Sequence, residues 1–248
     1  MKTKEVNTAL VIGGGAGMGA AISRRLAASG IHVFVADLDK KAAERTAMSI
    51  ESGQSHAEAL EVDIADSQSV QTLFNTLKQT VERLDLMVNT AGILGKVAFI
   101  EEMDDDCWQQ VIDINLNGTF YCCRESVRWM KEHGTGRIIL FSSVASLTPS
   151  PGSLHYSAAK AGVNMLGKTL AKEVAKHNIR VNIIAPGYVK TAMTEMIPEK
   201  FMKHVIENTP LKRMGEVEEI AELVAFLASP KADFFTGQVI GPNGGWVI

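Results

Sequence analysis

The chain has 248 residues, 46% of them apolar, which is enough to bury a hydrophobic core and lies at the upper edge for one domain. Its formal net charge of −3 provides no general attraction to nucleic acid or to acidic membrane surfaces, and no apolar run approaches the length that spans a bilayer. Since glycines also follow the N-terminal lysines too soon for a secretory signal, we expect one cytoplasmic domain over residues 1–248, with neither nucleic acid nor membrane as a partner.

A glycine-rich turn separates the first predicted strand from the first predicted helix. The apolar run 8–13 ends in GGGAGMG, and an alanine-rich helical pattern follows through Leu26. Glycines here let the backbone approach a pyrophosphate at the positive N-terminus of the helix. The spacing Gly15-x-Gly17-x-x-Ala20 matches G-x-G-x-x-G/A, although alone such a match is often only a turn. The strand–turn–helix setting favours a dinucleotide site formed by Gly13, Gly15, Gly17, Met18 and Gly19.

The second predicted strand, 31–36, ends at an acidic residue. Asp37 follows Gly17 by twenty positions, where a carboxylate accepts hydrogen bonds from the adenosine ribose hydroxyls. The alternative is an aspartate that only ends the strand or caps the next helix. An aspartate there would repel a 2′-phosphate, and the glycine turn contains no basic residue. We therefore predict NAD rather than NADP as the cofactor, with Leu38 beside Asp37 in its site.

The alternation of strands and helices continues along the chain. We predict helices near 40–52, ended by Gly53, and near 67–81, and strands near 57–62 and 85–88. Repeated βα units indicate an α/β fold, a single-domain Rossmann-like doubly wound parallel sheet of about seven strands flanked by helices.

Several residues stand where predicted strands end, which in such a sheet is the edge that binds ligands. Asp63 and Ile64 follow the third strand, and we predict that Asp63 meets the adenine. Asn89, Ala91 and Gly92 follow the fourth strand, where they would form the floor beneath the ribose. An ordinary structural role in the loop is the alternative, and it is hardest to exclude for Ala91 and Gly92.

A long helical pattern near 105–131 contains one conspicuous polar residue, Asn115. A polar side chain in an apolar helix is usually satisfied by the backbone, so its function depends on its surroundings. The three cysteines and six histidines show no metal-binding spacing, and we predict no metal site.

A serine, a tyrosine and a lysine follow the fifth predicted strand, 136–142. Ser143 stands at the strand's exit, Tyr156 comes thirteen positions later, and Lys160 lies one helical turn beyond it, on the same face of a helix. That helix would begin after Ser153 as N-cap and run to about His177. An ammonium near a phenol favours the phenolate, so Lys160 could make Tyr156 a general acid and base. The alternative is an exposed pair on an ordinary helix.

The rest of the chain supplies one more unit. We predict a sixth strand at 179–185, a helix at 216–229 and a last strand near 237–241. The methionine-rich segment at about 190–212 has the composition of an adaptable flap over an apolar substrate. An ordinary surface helix packed on the core would have the same periodicity.

Together these motifs resemble the short-chain dehydrogenase/reductase family over essentially the whole chain. Each motif is weak alone, but their order and spacing are specific. The resemblance is carried by GGGAGMG, NTAG, Asn115, Ser143, Tyr156, Lys160, PGYVKT and TGQVIGPNGG.

The resemblance implies roles for the catalytic residues. Tyr156 would exchange a proton with the substrate oxygen, while Lys160 would lower the tyrosine pKa and bind the nicotinamide ribose. Ser143 would hydrogen-bond the substrate oxygen. Asn115 would hold a water that links Lys160 to solvent. Ser142 also carries a hydroxyl, but the spacing to Tyr156 favours Ser143.

The same resemblance implies further contacts and an assembly. Val189 and Thr191 would hold the nicotinamide carboxamide, with Pro186 and Gly187 in the same cofactor segment. The enzyme would act on a CH–OH group with NAD(P), and family members usually form tetramers or dimers, so we expect a homotetramer.

Three positions depart from the commonest family pattern. Ile12 replaces a threonine before the glycines, Thr90 replaces the second asparagine of N-N-A-G, and Asn243 takes an aspartate position. We expect the first two to remove or alter hydrogen bonds that stiffen the cofactor platform. None of the three belongs to the proton-transfer set.

We predict an NAD(H)-dependent oxidoreductase that interconverts an apolar secondary alcohol and a ketone. A dehydrogenase of cyclic, steroid-like or aryl alcohols fits an apolar flap. The substrate itself has no sequence signature, but its pocket is expected to include Leu94, Ala145, Leu147, Tyr188 and Met193.

Two alternatives stay open. One is a reductase of 3-oxoacyl thioesters of acyl carrier protein or coenzyme A. Arg128 and Lys176 would then be carrier contacts, although they are equally well explained as ordinary charges on a helix surface. Asp37 argues against this function, because biosynthetic reduction commonly uses NADPH. The other is a redox-sensing or scaffold protein that binds dinucleotide without catalysis, against which the complete Asn–Ser–Tyr–Lys set argues.

Overall fold

The centre of the molecule is a parallel β-sheet. The computed structural model describes residues 5–50, 56–195, 197 and 199–248. Their strands are β1 (Thr8–Ile12), β2 (His32–Asp37), β3 (Ala57–Glu61), β4 (Leu86–Asn89), β5 (Gly136–Phe141), β6 (Ile179–Ile184) and β7 (Val239–Ile240). They pair in the order β3-β2-β1-β4-β5-β6-β7, and every pairing is parallel. The predicted Rossmann-like fold is confirmed.

Helices cover both faces of the sheet. They are α1 (Gly17–Ala27), α2 (Lys40–Ile50), α3 (Ser67–Thr80), α4 (Asp105–Ile112), α5 (Gly118–His133), α6 (Leu154–Val174), α7 (Ala192–Glu195), α8 (Glu199–Asn208) and α9 (Val217–Ala228). One apolar core lies between the sheet and α1, α2 and α9, and a second lies between the sheet and α3, α5 and α6. No helix among the described residues is both long and apolar enough to cross a membrane.

The alternation of side chains along β1 explains how a short strand supports two cores. Ala9 and Val11 pack into one core, while Leu10 and Ile12 pack into the other. All five residues of β1 are buried, as expected for an uninterrupted apolar run in a sheet covered on both faces.

The strand order reverses between β1 and β4, and this fixes the place of the site. From β1 the chain builds outward to β2 and β3, and then returns to add β4 on the other side of β1. Ile12 pairs with Asn89, so the loops that leave β1 and β4 lie side by side. A crevice at the carboxyl ends of strands at such a reversal is where doubly wound sheets bind ligands.

Some predicted boundaries differ from the structure. The helix predicted over 105–131 is divided into α4 and α5 by a π-helical turn, Asp113–Asn117. Helix α6 ends at Val174 and continues as a 3-10 turn, Ala175–His177. Gly53 lies outside the described residues.

The predicted flap contains two short helices, α7 and α8. Two of its residues, 196 and 198, lie outside the described part of the chain. The flap therefore stays a prediction, as does the extent of the domain.

Candidate active site

The glycine turn after β1 is packed too closely for side chains. A Cβ on Gly19 would lie 2.0 Å from the carbonyl oxygen of Gly13, and one on Gly13 would lie 2.6 Å from the amide nitrogen of Ala91. Helix α1 begins here without a side-chain cap from Ala16 and without an acidic residue in its first turn. Its first N–H groups, which have no partners within the helix, suit an anionic group such as a pyrophosphate.

Thr90 ties this turn to β4. Its hydroxyl lies 2.9 Å from the carbonyl oxygen of Ile12 and 3.1 Å from that of Gly13, both of which are acceptors. Ile12 itself is fully buried. Thr90 therefore links the ends of β1 and β4, and the effect of Ile12 and Thr90 relative to the family pattern stays a prediction.

Asp37 braces the glycine turn from the end of β2. Its Oδ2 accepts from the Gly15 amide at 2.9 Å, and its Oδ1 accepts from the Asp39 amide at 3.0 Å. The cap of α2 is Asp39, whose Oδ1 accepts from the Ala42 amide at 3.1 Å. The alternative of Asp37 as a helix cap is thus excluded, and its carboxylate borders the cleft described next.

A cleft of about 380 Å³ runs along the carboxyl ends of β1, β2 and β4. The predicted cofactor residues that line it are Gly13, Gly17, Met18, Gly19, Asp37, Leu38, Asp63, Ile64, Ala91, Gly92 and Thr191. A cleft with the uncapped N-terminus of α1 in its wall and an acidic residue at the β2 end fits a dinucleotide.

Other predicted cofactor residues are not part of this wall. Asn89 is buried beneath it, where its Nδ2 donates to Thr119 Oγ1 at 3.1 Å and its Oδ1 accepts from the Ala91 amide at 3.2 Å. Gly15 does not line the cleft; its amide donates to Asp37. The segment of Pro186, Gly187 and Val189 follows β6 and also lies outside the lining. Their roles as cofactor ligands stay predictions.

Sequence reasoning missed part of the lining. These residues are Ile12, Ala16, Val62, Thr90, Ile93, Ile114 and Ala192. Most of them adjoin predicted residues in the sequence, and this adjacency is the signal that could have identified them. Ile93 directly follows NTAG, and Ile114 directly precedes Asn115.

Lys160 is almost completely buried. Its side chain is 3% exposed, and its Nζ donates to the carbonyl oxygen of Phe141 at 3.0 Å. Burial lowers its pKa to about 8, because the charged form loses hydration. The Nζ lies 5.7 Å from the ring centre of Tyr156, so α6 brings the two side chains together as predicted.

Gly92 is the point where Lys160 and Asn115 meet. A Cβ on Gly92 would lie 2.4 Å from Asn115 Oδ1 and 3.1 Å from Lys160 Nζ. The loop after β4, the π-helical turn and α6 therefore converge on one bare backbone position. Only glycine leaves room there for both polar groups.

Asn115 owes its position to the π-helical turn, a feature that often marks a functional site. It is fully buried; its Nδ2 donates to Ile93 O at 2.9 Å and to Val111 O at 3.0 Å, and its Oδ1 accepts from the Ile93 amide at 3.2 Å. The alternative that backbone groups satisfy the hydrogen bonds of this side chain is therefore correct. Its partner Ile93, however, belongs to the loop that lines the cleft, so the amide also fixes the site.

Tyr156 lies at the start of α6, close to Ser143. Burial raises the pKa of Tyr156 above its usual value, and hydrogen bonding to the Ser143 side chain opposes that rise. Loss of hydration is the largest effect on this pKa, and the lowering by Lys160 that the resemblance implies stays a prediction. The phenol is therefore in its protonated form at neutral pH and can serve as an acid.

The two serines at the end of β5 have different partners. The Ser142 hydroxyl donates to the carbonyl oxygen of Lys160 at 2.9 Å and is buried. Ser143 accepts from the Ala145 amide at 3.2 Å and interacts with Tyr156. This supports the choice of Ser143 over Ser142 as the residue that faces a substrate.

The predicted substrate residues are scattered around the site. Met193 lines the cleft, Leu147 is 44% exposed, and Leu94 and Ala145 are partly buried. Tyr188 lies close enough to Tyr156 to raise its pKa.

Two aromatic residues adjoin Tyr188: Phe201, which belongs to the predicted flap, and Trp246, which sequence reasoning missed. The Tyr188 ring lies 5.7 Å from Trp246 and 6.5 Å from Phe201, both edge to face. Trp246 comes from the C-terminal segment, and no sequence pattern links it to Tyr188.

Relatives of this chain match it over nearly its whole length. A family model described as enoyl-(acyl carrier protein) reductase matches residues 13–247. The 3-oxoacyl-[acyl-carrier-protein] reductase FabG of Thermotoga maritima is 36% identical, over 98% of this chain and 99% of the relative. The short-chain reductase protein NovJ of Streptomyces niveus is 35% identical, over 96% and 93%. The solved structure of a short-chain type dehydrogenase/reductase from Mycobacterium ulcerans matches with a TM-score of 0.93 at 29% identity, over 98% and 90%.

Proposed function

Because the chain belongs to the short-chain dehydrogenase/reductase family of oxidoreductases, we propose that it interconverts a secondary alcohol and a ketone with Tyr156 as the acid and base. The observation that carries this proposal is the convergence of Asn115, Ser143, Tyr156 and Lys160 beside a cleft that fits a dinucleotide. A bound nicotinamide dinucleotide supplies or accepts the hydride.

The side chains divide the proton chemistry among them. In the direction of reduction, the Tyr156 hydroxyl donates its proton to the substrate oxygen, and in oxidation it takes that proton back. Ser143 orients the same substrate oxygen by a hydrogen bond. Lys160 stabilises the phenolate that forms after proton donation, and its pKa near 8 lets it exchange a proton close to neutrality.

Asn115 and Gly92 position Lys160. Asn115 Oδ1 and Lys160 Nζ both border the space above Gly92. The amide of Asn115 is held by the loop of Ile93 and by Val111. The family role of a water relay at Asn115 is part of this proposal, since the buried Lys160 needs a route for its proton.

The cofactor preferred by this site is NAD rather than NADP. Asp37 carries the argument, because a carboxylate at this end of the cleft repels a 2′-phosphate and accepts hydrogen bonds from a ribose diol. Lys40 and Lys41, the nearest basic residues along the chain, are exposed in the first turn of α2.

Asp37→Ala is expected to lower the ratio of kcat/KM with NAD to kcat/KM with NADP by about tenfold to a hundredfold, the value of hydrogen bonds to a charged group. Steady-state kinetics with both cofactors measure the ratio. Asp39→Ala, which removes the cap of α2 and an exposed ion pair with Arg45, is the matched control and should leave the ratio unchanged. A wild-type enzyme that prefers NADP would show the assignment of Asp37 to be wrong.

A 3-oxoacyl thioester is the best-supported specific substrate. The Thermotoga maritima relative is named a 3-oxoacyl-[acyl-carrier-protein] reductase, and a 3-oxo group is a ketone that the same residues could reduce. The candidate carrier contacts argue less strongly. Arg128 Nη1 is engaged with Glu125 at 2.8 Å, which neutralises part of its charge, whereas Lys176 is exposed.

A substrate panel tests the proposal. NADH and NADPH oxidation would be followed with acetoacetyl thioesters of coenzyme A and of acyl carrier protein, and with cyclic and aryl ketones. We expect turnover of at least one class, and a hundredfold higher kcat/KM for the thioesters would select the thioester reductase. Tight NADH binding without turnover of any member would instead favour a non-catalytic binding protein.

Self-association is part of the proposal. Phe120 and Met165 are 45% and 62% exposed along an apolar groove of about 650 Å³ between α5 and α6. Exposed apolar surface of this kind supports an interface between copies of the chain. We propose the homotetramer usual in the family, and a monomer in sedimentation at micromolar concentration would contradict it.

A further inference from the structure

A buried histidine stands directly before Tyr156. His155 is 0% exposed, and its Nδ1 accepts a hydrogen bond from the backbone N–H of Tyr156 at 2.8 Å. Because Nδ1 is the acceptor, the proton of the neutral imidazole is on Nε2. Within the described part of the chain, Nε2 has no hydrogen-bond partner. Among the described residues, the imidazole therefore makes one hydrogen bond, with the backbone amide of Tyr156.

This contact replaces an ordinary helix cap. Tyr156 is the third residue of α6, and the first N–H groups of a helix have no acceptors within it. The residue before a helix usually accepts from the third N–H through its side chain. Ser153 occupies that place but makes no such bond. His155 therefore satisfies the amide that Ser153 leaves unpaired.

The other side of the His155 ring rests on the loop after β4. Gly95 has a φ of +76°, and a Cβ there would lie 2.7 Å from His155 Nε2 and 2.4 Å from Val111 Cγ2. The backbone amide of Ala98 also donates to the carbonyl oxygen of Gly152, at 3.0 Å. The loop and the start of α6 are therefore packed together around the histidine.

The same loop carries the contact with Asn115. Ile93 bonds to both ends of the Asn115 amide and lies two residues before Gly95. His155 consequently links the segment that holds Asn115 to the helical turn that holds Tyr156. A shift of either segment moves one member of the proton-transfer set relative to the others.

We propose that His155 is a positioning residue that fixes the first turn of α6 and thereby places the Tyr156 hydroxyl against Ser143 and Lys160. The inference rests on the proposed function, in which Tyr156 is the acid. It needs no contact between His155 and the substrate. A displacement of about 1 Å in a reacting group lowers the rate about a hundredfold. Loss of the hydrogen bond between His155 and the Tyr156 amide is therefore expected to lower kcat.

The test compares two substitutions whose side chains branch in the same way. His155→Asn keeps an acceptor near the position of Nδ1, whereas His155→Leu has the same shape without one. We expect kcat to fall about tenfold or more in His155→Leu and to stay within about threefold of wild type in His155→Asn. The Kd for NADH, measured by fluorescence titration, should stay within about twofold in both.

Hydrogen exchange of the Tyr156 amide supplies a readout that needs no substrate. It should be at least about tenfold faster in His155→Leu than in wild type and His155→Asn, while amides deeper in α6 exchange alike. If the leucine variant does not fold, His155→Gln, whose amide reaches the Nε2 position instead, replaces it with the same expected outcome.

Two results would overturn the inference: unchanged kcat and amide exchange in the variant without the acceptor, or equal loss of kcat in the asparagine and leucine variants. If wild type turns over no substrate, the proposed function fails, whereas the exchange comparison still decides whether His155 holds the Tyr156 amide.

Discussion

Tyr156→Phe is expected to lower kcat by about a hundredfold to ten-thousandfold, the range contributed by a positioned general acid. The substitution removes only the phenol oxygen. The ring keeps its place near Lys160, whose Nζ lies 5.7 Å from the ring centre, so the cleft wall and the lysine should not move. The Kd for NADH should therefore stay close to that of wild type, and the loss should appear in kcat.

The measurement is a pair of experiments on each variant, a fluorescence titration with NADH and steady-state turnover of the best panel substrate. Tyr121→Phe is the matched control, because Tyr121 lies on α5 beside Phe120 and Arg124 and outside the cleft lining. It should turn over like wild type. Substantial activity in Tyr156→Phe would remove Tyr156 as the acid.

Lys160→Met is expected to reduce turnover about a hundredfold and at the same time to stabilise the fold. Burial lowers the pKa of Lys160 from 10.5 to about 8. At neutral pH the lysine is charged in both the folded and the unfolded state, but the ammonium is better hydrated in the unfolded state, so its charge destabilises the fold. That difference corresponds to about 3 kcal/mol at most. Loss of the hydrogen bond from the charged ammonium to Phe141 O offsets about 2 kcal/mol. A net gain of about 1 kcal/mol in the free energy of unfolding follows.

The stabilisation by Lys160→Met should depend on pH, because it arises from the charge of Lys160. Below pH 8 Lys160 is charged in both states and the full difference applies, whereas above pH 10.5 it is neutral in both and the difference vanishes. The stabilisation of Lys160→Met over wild type should therefore be largest below pH 8 and shrink as the pH rises toward 10.5. Urea unfolding at several pH values measures it.

Lys168→Met is the matched control, because Lys168 lies on the same helix and is exposed. It should change neither turnover nor the free energy of unfolding appreciably. A Lys160→Met variant that is less stable than wild type at pH 7 would contradict the account. Such a result would mean that the contacts of the buried ammonium outweigh its lost hydration.

The order of the elements could be predicted because local signals are strong at each one. The apolar run before GGGAGMG, the position of Asp37 and the four-residue spacing of Tyr156 and Lys160 are all properties of short segments. Once those segments form parallel βα units, topology alone brings their ends to one edge of the sheet.

What the sequence could not supply depends on contacts between distant segments. Apolar periodicity runs unbroken through 105–131, so it gives no sign of the π-helical turn that turns Asn115 toward Ile93. The pKa of Tyr156 is raised chiefly by burial, which depends on the segments packed around the phenol and which a short motif does not reveal.

The cap of α6 and the walls of the substrate pocket could not be predicted either, because they also depend on contacts that a local sequence pattern does not encode. His155 and Ser153 both stand at the start of α6, and only their geometry reveals which one satisfies the helix. The neighbours of Tyr188 come from α8 and from the C-terminal segment, where Trp246 lies 5.7 Å away. A substrate pocket built from such separate parts has no motif.

Transfer of deuterium shows whether a hydride passes between nicotinamide and substrate while Tyr156 supplies the proton. NADH labelled at nicotinamide C4 would be incubated with the best ketone or 3-oxoacyl substrate, and the product analysed by mass spectrometry and NMR. We expect the label on the carbinol carbon of the product with wild type, and a rate of label transfer that falls with kcat in Tyr156→Phe. Label absent from every product despite bound NADH, or transferred equally well without the Tyr156 hydroxyl, would contradict this mechanism.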